Sequence, residues 1–189
     1  MNTKKEYSAG VIIYRKTKEG PKFLLLYHGG PYWNFPKGKL DGESNFKAAL
    51  REVREETGIL ERDLRFREWF RVQDKFSYSR NKEKIYKTVT YYLAETRKQE
   101  VRIKIVPESH EGEKHEGYGW FLYRDASRLL MSPTLKQNLK KAYATVVHKK
   151  NTTDSKTGSE GQGNNISRNR PFSGKRPRIS GSGERASQQ

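Results

Sequence analysis

The chain of 189 residues contains no cysteine. It can therefore form no disulfide, no thiolate zinc site and no cysteine nucleophile, and it suits a reducing compartment, for which we expect the cytoplasm. No apolar run approaches the length of about 18 residues that a membrane helix requires, and only short apolar runs precede Lys16. The sequence thus predicts neither a membrane helix nor a secretory signal, and we expect no membrane partner.

Hydrophobic residues are also scarce, at 32% of the chain, while the formal net charge is +17. Residues 149–189 carry nine Lys or Arg against three acidic residues, and their only sizeable apolar side chains are Ile166, Phe172 and Ile179. So little apolar surface cannot offset the entropy of ordering the segment. We predict one folded domain over 1–148 and a disordered basic tail over 149–189, which is either simply solvated or a contact for RNA.

The first 148 residues alternate between strand-like and helix-like segments. Runs rich in β-branched and aromatic residues predict strands over 9–14, 22–28, 63–73, 87–96, 101–106 and 117–123. Apolar periodicity and capping residues predict a helix over Ser44–Thr57 that ends at Gly58. A second helix is predicted over 132–149, with Ser132 as its N-cap. These elements predict an α+β domain in which a mixed β-sheet is sandwiched between helices, an α/β/α arrangement.

The stretch REVREETG places Glu52, Glu55 and Glu56 on the first predicted helix. Spacings of three and four residues bring these carboxylates together within an arc of about 100°. They lie beside an apolar stripe formed by Phe46, Ala49, Leu50 and Val53. Two interpretations stay open at this point. The cluster is either a solvated face on which Arg51 pairs with Glu55, or a binding site for a hard divalent cation such as Mg²⁺.

The residues just before this helix favour the cation site. In YWNFPKGKLDGES, Pro36, Gly38 and Gly42 predict a tight loop whose backbone can approach a ligand closely. Lys37 and Lys39 bring positive charge to the same edge. Carboxylates that hold Mg²⁺ beside lysines that face phosphate are what a polyphosphate-cleaving site requires.

The segment GKLDGESNFKAALREVREETGI resembles the Nudix box, G-x5-E-x7-R-E-U-x-E-E-x-G-U, where U is a bulky aliphatic residue. From Glu43 onward every fixed position of the box is matched. One departure precedes it, because only four residues separate Gly38 from Glu43 where the box has five. The resemblance implies the Nudix fold, and the shortened loop leaves the position of the Gly38 carbonyl open.

The resemblance also implies roles for residues of the box. Glu52, Glu55 and Glu56 would be catalytic and would bind Mg²⁺ (or Mn²⁺), together with the Gly38 carbonyl, and Glu52 acts as the base in some family members. Residues with structural roles would be Glu43, which pairs with Arg51 to hold the helix against the loop, and Gly58. The implied reaction is attack of a metal-activated water on a phosphorus of a nucleoside diphosphate linked to another group.

Outside the box, residues 9–39, 87–95 and 115–130 resemble the asymmetrical diadenosine tetraphosphate (Ap4A) hydrolases. The resemblance implies substrate contacts by Lys37, Lys39, Lys87, Tyr78 and Trp33, with Tyr118 a further candidate. For Lys87 an edge-strand lysine, and for Trp33 a core aromatic, are the structural alternatives. Glu113 is our candidate for an additional base or metal ligand.

Three functions follow as hypotheses. The first is Mg²⁺-dependent hydrolysis of dinucleoside polyphosphates, Ap4A to ATP and AMP, by a monomer. The second is removal of pyrophosphate or a cap from RNA 5′ ends, which the basic tail would assist. The third is a Nudix module that binds nucleotides or RNA without catalysis, against which the intact set of three glutamates argues.

Overall fold

A computed structural model of the chain describes residues 3–103 and 116–148. In this part of the chain no helix is both long and apolar enough to cross a membrane. The tail predicted over 149–189 lies outside the described residues. The elements, in chain order, are β1 (Thr3–Thr17), β2 (Gly20–Tyr27), β3 (Trp33–Asn34), β4 (Lys37–Lys39), α1 (Asn45–Thr57), a 3₁₀ turn (Glu61–Asp63), β5 (Leu64–Arg80), β6 (Glu83–Thr96), β7 (Gly117–Leu122), α2 (Tyr123–Leu129) and α3 (Pro133–His148).

The sheet is mixed, and β1 is its central strand. β1 pairs in parallel with β6 over most of its length. On its other edge it is antiparallel to β4 near its start, where Ser8 opposes Lys39, and to β2 near its end, where Tyr14 opposes Phe23. The strand order is β3-β2-β1-β6-β5, and β7 pairs with β2. β1 therefore lies directly beside the short strand that leads into α1.

Side chains on alternate positions of β1 fill two separate cores. Ala9, Val11 and Ile13 pack on the face that α1 covers, together with Ala49 and Val53 of that helix. On the opposite face, Ile12 and Tyr14 pack against α2 and α3, where the buried residues include Ala126, Leu130, Leu135, Leu139, Ala142 and Val146. A mixed sheet between helices, the predicted α+β and α/β/α arrangement, is confirmed.

Five of the six predicted strands are present, and the β5–β6 hairpin is longer than the sequence pattern indicates. Its two-residue turn, Asn81 and Lys82, has positive φ at both residues, which matches the twist of a hairpin. The strand predicted over 101–106 is wrong in its described part, Val101–Ile103. There Val101 is buried and the Arg102 N–H donates to the Thr57 carbonyl, so this segment packs beside the end of α1 without joining the sheet.

Both predicted helices are confirmed, and α2 is an addition. The Ser132 hydroxyl accepts a hydrogen bond from the Leu135 N–H at 3.3 Å, as expected of an N-cap. α2 begins directly after β7, and of its residues Ala126 is buried. Because α2 has only seven residues and directly follows the aromatic run of β7, the sequence pattern around it indicates a strand and not a helix.

A polar network fastens β5 to the centre of the sheet. Glu95 accepts hydrogen bonds from Tyr14 at 3.0 Å and Arg67 at 2.8 Å, and Lys16 lies 3.0 Å away. Burial acts to raise the pKa of Glu95, but these three partners outweigh it and lower the pKa. Burial, the largest cause, and the hydrogen bond to Glu95 raise the pKa of Tyr14 to about 12 although Arg67 opposes them, so its hydroxyl stays protonated as a donor.

This network predicts a pH-dependent contribution to stability. Because the folded pKa of Glu95 lies below its unfolded value, its contribution is present above the unfolded pKa and is lost as pH falls through the folded pKa. We expect Glu95→Gln to lower the free energy of unfolding by about 2 kcal/mol at neutral pH. The difference from wild type should disappear in acid, below the ordinary range of a glutamate pKa.

Urea unfolding at neutral pH and at about pH 3 measures this difference. The control is Glu19→Gln, which removes a largely exposed carboxylate paired with Lys22 and should change stability little at either pH. A stability loss for Glu95→Gln that is equal at the two pH values would show that lost packing, and not lost charge, is its cause.

Candidate active site

The helix that carries the three glutamates is capped as the sequence predicts. The Ser44 hydroxyl accepts from the Lys47 N–H at 3.4 Å, and Gly58 is left-handed, with φ of 67°. The predicted apolar stripe is only partly correct, because Ala48 is buried beside Ala49 and Val53 while Phe46 is 37% exposed. Phe46 packs at the rim, against Phe66 and Tyr92. The small alanines let α1 lie close to the sheet.

Arg51 joins α1 to the loop before it. Its guanidinium lies 2.5 Å from Glu43, 2.7 Å from Glu52 and 3.2 Å from Glu55, and it donates to the Lys39 carbonyl at 2.8 Å. Burial acts to lower the pKa of Arg51, but the hydrogen bonds to Glu43 and Glu52 outweigh it and raise the pKa. Arg51 thus pairs with Glu55, as the solvated-face interpretation expected, and also with Glu43, as the Nudix resemblance implied.

The loop itself approaches two of the helix glutamates. The Lys37 N–H donates to the buried Glu56 carboxylate at 2.9 Å. Gly38 lies so close to Glu52 that a Cβ on it would stand 1.9 Å from the carboxyl carbon. Only glycine leaves room for this contact. The loop that is one residue shorter than the Nudix box therefore still brings Gly38 against the carboxylate cluster.

Glu55 and Glu56 disfavour the charged form of Glu52. Burial, the largest cause, raises the pKa of Glu52, and repulsion from Glu56 and Glu55 adds to the effect, whereas Arg51 opposes it. A divalent cation would relieve this repulsion, and the oxygen donors of Glu52, Glu55, Glu56 and the Gly38 backbone suit Mg²⁺ or Mn²⁺. Within residues 3–103 and 116–148, however, no three Asp, Glu or His side chains are already grouped at metal-ligand spacing.

The position of Arg51 explains why the glutamates are not already grouped around a cation position. Its guanidinium occupies the space between Glu52 and Glu55, so it neutralises two of the carboxylates that a cation would bind. Glu55 is the more exposed of the two, with 45% of its side chain accessible, and its contact with Arg51 is the longer one. The residues therefore fit a hard cation chemically, and binding would require the Glu55 side chain to turn from Arg51 towards it.

On the other face of β4, three predicted substrate residues gather around Glu6. The Tyr78 hydroxyl donates to Glu6 at 2.9 Å, and Lys87 opposes Glu6 in the β1–β6 register. Burial acts to raise the pKa of Glu6, but Tyr78, Lys87, Arg80 and Lys39 together lower it. Glu6 is not among the residues that the sequence patterns indicated. The signal that could have found it is a lone acidic residue among lysines where β1 begins.

Lys37 lies in a different setting from Lys39. It is only 6% exposed, and its positive charge opposes the effect of burial, which raises the pKa of Asp74. Asp74 also accepts a hydrogen bond from Thr134, and Asn138 donates to the Gln73 carbonyl at 3.1 Å. Asp74 was missed as well, although a carboxylate inside a long strand is itself a signal of special packing. These contacts attach the start of α3 to β5 beside the lysine.

The structure does not bring Trp33 into the group around Glu6. Its ring packs against Tyr27, with centroids 4.9 Å apart, and edge-on against Phe121 at 5.2 Å. It is partly buried against the core under α2 and α3, as in the structural alternative. Tyr118 is 38% exposed on β7. Glu113 lies outside the described residues.

Comparison with known proteins gives a family for this chain. The sequence profile of the NUDIX domain matches residues 4–146. The asymmetrical bis(5′-nucleosyl)-tetraphosphatase of Mus musculus is 33% identical over 145 residues, which cover 72% of this chain and 92% of the mouse protein. The Caenorhabditis elegans protein of that name is 34% identical over 125 residues, covering 65% of this chain and 83% of its own length.

Solved structures agree with the sequence comparison. The binary complex of the C. elegans Ap4A hydrolase superposes with a TM-score of 0.63 at 28% identity, over 76% of this chain and 98% of the worm enzyme. The E. coli dihydroneopterin triphosphate pyrophosphohydrolase shares the fold, with a TM-score of 0.54 at 19% identity over 74% and 95% of the two chains. The profile, the relatives and the carboxylate helix against its glycine loop lead to one conclusion: the chain belongs to the Nudix family and is a hydrolase of pyrophosphate bonds.

Proposed function

We propose that this protein hydrolyses dinucleoside polyphosphates asymmetrically, Ap4A to ATP and AMP, with Mg²⁺ as its cofactor and Mn²⁺ as a substitute. The observation that carries the proposal is the placement of β4 between two charged groups. Similarity to the asymmetrical tetraphosphatases over 92% of the mouse protein's length supports this choice of substrate.

Strand alternation explains how β4 serves the two groups at once. Gly38 opposes Ala9, whose side chain packs on the α1 face, and it contacts Glu52 there. Lys39 opposes Ser8 and so points to the other face, where its charge acts on Glu6. A polyphosphate that crosses β4 would therefore meet carboxylates on one side and cationic side chains on the other.

Each group has a separate task in the proposed reaction. A divalent cation held by Glu52, Glu55, Glu56 and the Gly38 carbonyl would neutralise phosphate oxygens and lower the pKa of the attacking water. Lys39 and Lys87 would offset the remaining phosphate charge. Glu6, by its hydrogen bond to Tyr78 and its attraction for both lysines, holds these side chains in place without a substrate.

The chain's further properties are proposals on the same footing. We propose Glu52 as the base, with Glu113 as the alternative, and Arg51 and Glu43 as the residues that position α1. We also propose a cytoplasmic monomer whose hydrolase domain spans 1–148. Removal of phosphates from RNA 5′ ends is the competing function, because lysines that bind a nucleotide polyphosphate also suit a 5′-triphosphate.

Parallel hydrolysis assays separate these substrates. With Mg²⁺ present, we expect Ap4A to give ATP and AMP in equal amounts, and 5′-triphosphorylated RNA and ADP-ribose to react more slowly, as resolved by ion-exchange chromatography. Cleavage of the RNA alone would establish the competing function. Two ADP per Ap4A would contradict asymmetric cleavage, and no hydrolysis of any of the three would favour a binding module.

Glu56→Gln tests the proposed carboxylate site. The amide retains an oxygen that can accept from the Lys37 N–H, so folding should be preserved, whereas the loss of the charge should lower kcat about a thousandfold. The matched control is Glu100→Gln, an exposed glutamate outside the helices and strands, which should leave kcat unchanged. Circular dichroism checks folding, and a Glu56→Gln enzyme of normal activity would remove Glu56 from the mechanism.

Gly38→Ala tests the approach of the loop to Glu52. The added methyl would collide with the Glu52 carboxyl group, so we expect Glu52 to move, kcat to fall and the free energy of unfolding to fall by about 1–3 kcal/mol. Gly117→Ala is the control, since its methyl would meet Tyr27 at an ordinary 3.7 Å. Normal hydrolysis by Gly38→Ala at every Mg²⁺ concentration would show that the contact is dispensable.

A further inference from the structure

Trp69 is the most exposed large hydrophobic side chain of the described residues, with 99% of its surface accessible. Its backbone is also left-handed, with φ of 64°, a conformation that bulky side chains rarely adopt. A tryptophan contributes to stability when it is buried, and this one contributes no burial. Strain and exposure at one residue are typical of a site selected for binding.

The strain at Trp69 arises from a large bulge in β5. Phe66 opposes Ala94 and Arg71 opposes Tyr92, so five steps along β5 match two along β6. Such bulges redirect a side chain out of the regular alternation. Here three extra residues are accommodated, and the ring of Trp69 is turned to solvent.

Side chains on either side of Trp69 hold the bulge in place. Phe66 packs edge-on against Phe46, with ring centroids 4.9 Å apart. Arg67 donates to Tyr14 at 2.7 Å and to Glu95 at 2.8 Å. Phe70 packs on the core under α2 and α3. Because these anchors lie on opposite faces of the sheet, they force the chain between Arg67 and Phe70 outwards, and Trp69 is preorganised there.

A cationic cavity opens on the same edge of the sheet, at the start of β5. It has a volume of about 380 Å³, and its lining includes Arg62, Arg65, Arg97 and Lys98. Its acidic residues are compensated, since Glu95 contacts Arg67 and Lys16, and Asp63 lies 3.9 Å from Lys98. Within residues 3–103 and 116–148, Arg62, Arg65 and Arg97 make no ion pair, so the cavity has positive charge available for an anion.

We propose that Trp69 and this cavity form a binding site for single-stranded nucleic acid, with the cavity holding phosphate and the indole stacking on a base. Arg65 opposes Glu95 and Arg71 opposes Tyr92, so the bulge compresses this stretch of β5 into three steps along β6, about 10 Å. Trp69 lies between these two residues, so its ring is within reach of a strand whose phosphate occupies the cavity that Arg65 lines. A basic groove combined with an aromatic platform is the general solution for binding single strands.

The site uses no residue of the proposed hydrolytic mechanism. It would let the hydrolase associate with RNA whichever nucleotide it cleaves. Two features distinguish it from the general attraction of a chain of charge +17 for polyanions. RNA binding at this site should depend on the presence of bases, and it should depend on one uncharged side chain, that of Trp69.

Fluorescence anisotropy of the full chain with a labelled 12-nucleotide RNA tests the base contact. The RNA carries a 5′-hydroxyl, which offers no polyphosphate to the hydrolytic site. We expect Trp69→Ala to weaken binding about tenfold and Trp69→Phe to retain most of the affinity. An abasic oligomer of equal length should bind wild type about as weakly as the variant does, and Trp69→Ala should not distinguish the two oligomers. Hydrolysis of the small nucleotide should be unchanged in Trp69→Ala.

The salt dependence of binding tests the phosphate contact. We expect Arg65→Ala and Arg97→Ala each to reduce the slope of log K against log salt by about 0.7. The matched control is Lys140→Ala, which removes an exposed charge from α3 and should not alter the slope. The tail contributes equally to all these proteins.

Three results would overturn the proposal. They are equal RNA affinity for wild type and Trp69→Ala, equal affinity of wild type for normal and abasic oligomers, and no binding of RNA at all. In any of these cases the exposed indole would be assigned to a protein contact. Because hydrolysis is measured on a separate substrate, failure here leaves the proposed function standing.

Discussion

The ion-pair cluster centred on Arg51 is the interaction on which the candidate site depends. One guanidinium binds Glu43, Glu52 and Glu55 and also the Lys39 carbonyl, so it sets both the glutamates of α1 and the loop that leads into the helix. Without that cation, three carboxylates on adjacent turns would repel one another and the loop would lose its anchor. Because Arg51 pairs with both Glu52 and Glu55, a cation proposed to bind these carboxylates would have to compete with its guanidinium.

Steric constraint complements this electrostatic one. β4 has only three residues, yet its middle residue faces the carboxylates and its neighbours face the sheet's other side. Gly38 permits the first contact because any side chain would overlap Glu52. Gly10 permits the pairing itself, since a Cβ there would stand 2.1 Å from the Pro36 carbonyl oxygen. Two glycines far apart in sequence thus let β4 lie flat against β1.

The proposed hydrolytic site and the proposed nucleic-acid site lie in different parts of the sheet. The carboxylates and the lysines around Glu6 lie near the start of β1, whereas the Tyr14–Arg67–Glu95 network and the Trp69 bulge lie towards the other ends of β1 and β6. Arg67 connects the packing of the sheet to the shape of the bulge, because it binds both Tyr14 and Glu95 while Glu68 and Trp69, the next two residues, are exposed. The Tyr14–Arg67–Glu95 network that stabilises the sheet thus also helps to expose Trp69, the side chain proposed to bind a base.

The amino-acid sequence by itself determined the features that depend on near neighbours. Ser44 and Gly58 cap α1, the three glutamates share one face of it, and a continuous run of apolar residues defines β1, because each of these follows from residues within a short stretch of chain. Only the tertiary structure decided which residues meet across the sheet. Glu6 and Tyr78 are 72 positions apart, and their contact depends on the register of β1, β6 and β5 together, as does the bulge that exposes Trp69. Register is a property of strand pairing, set by the packing of two cores at once, and no local pattern encodes it.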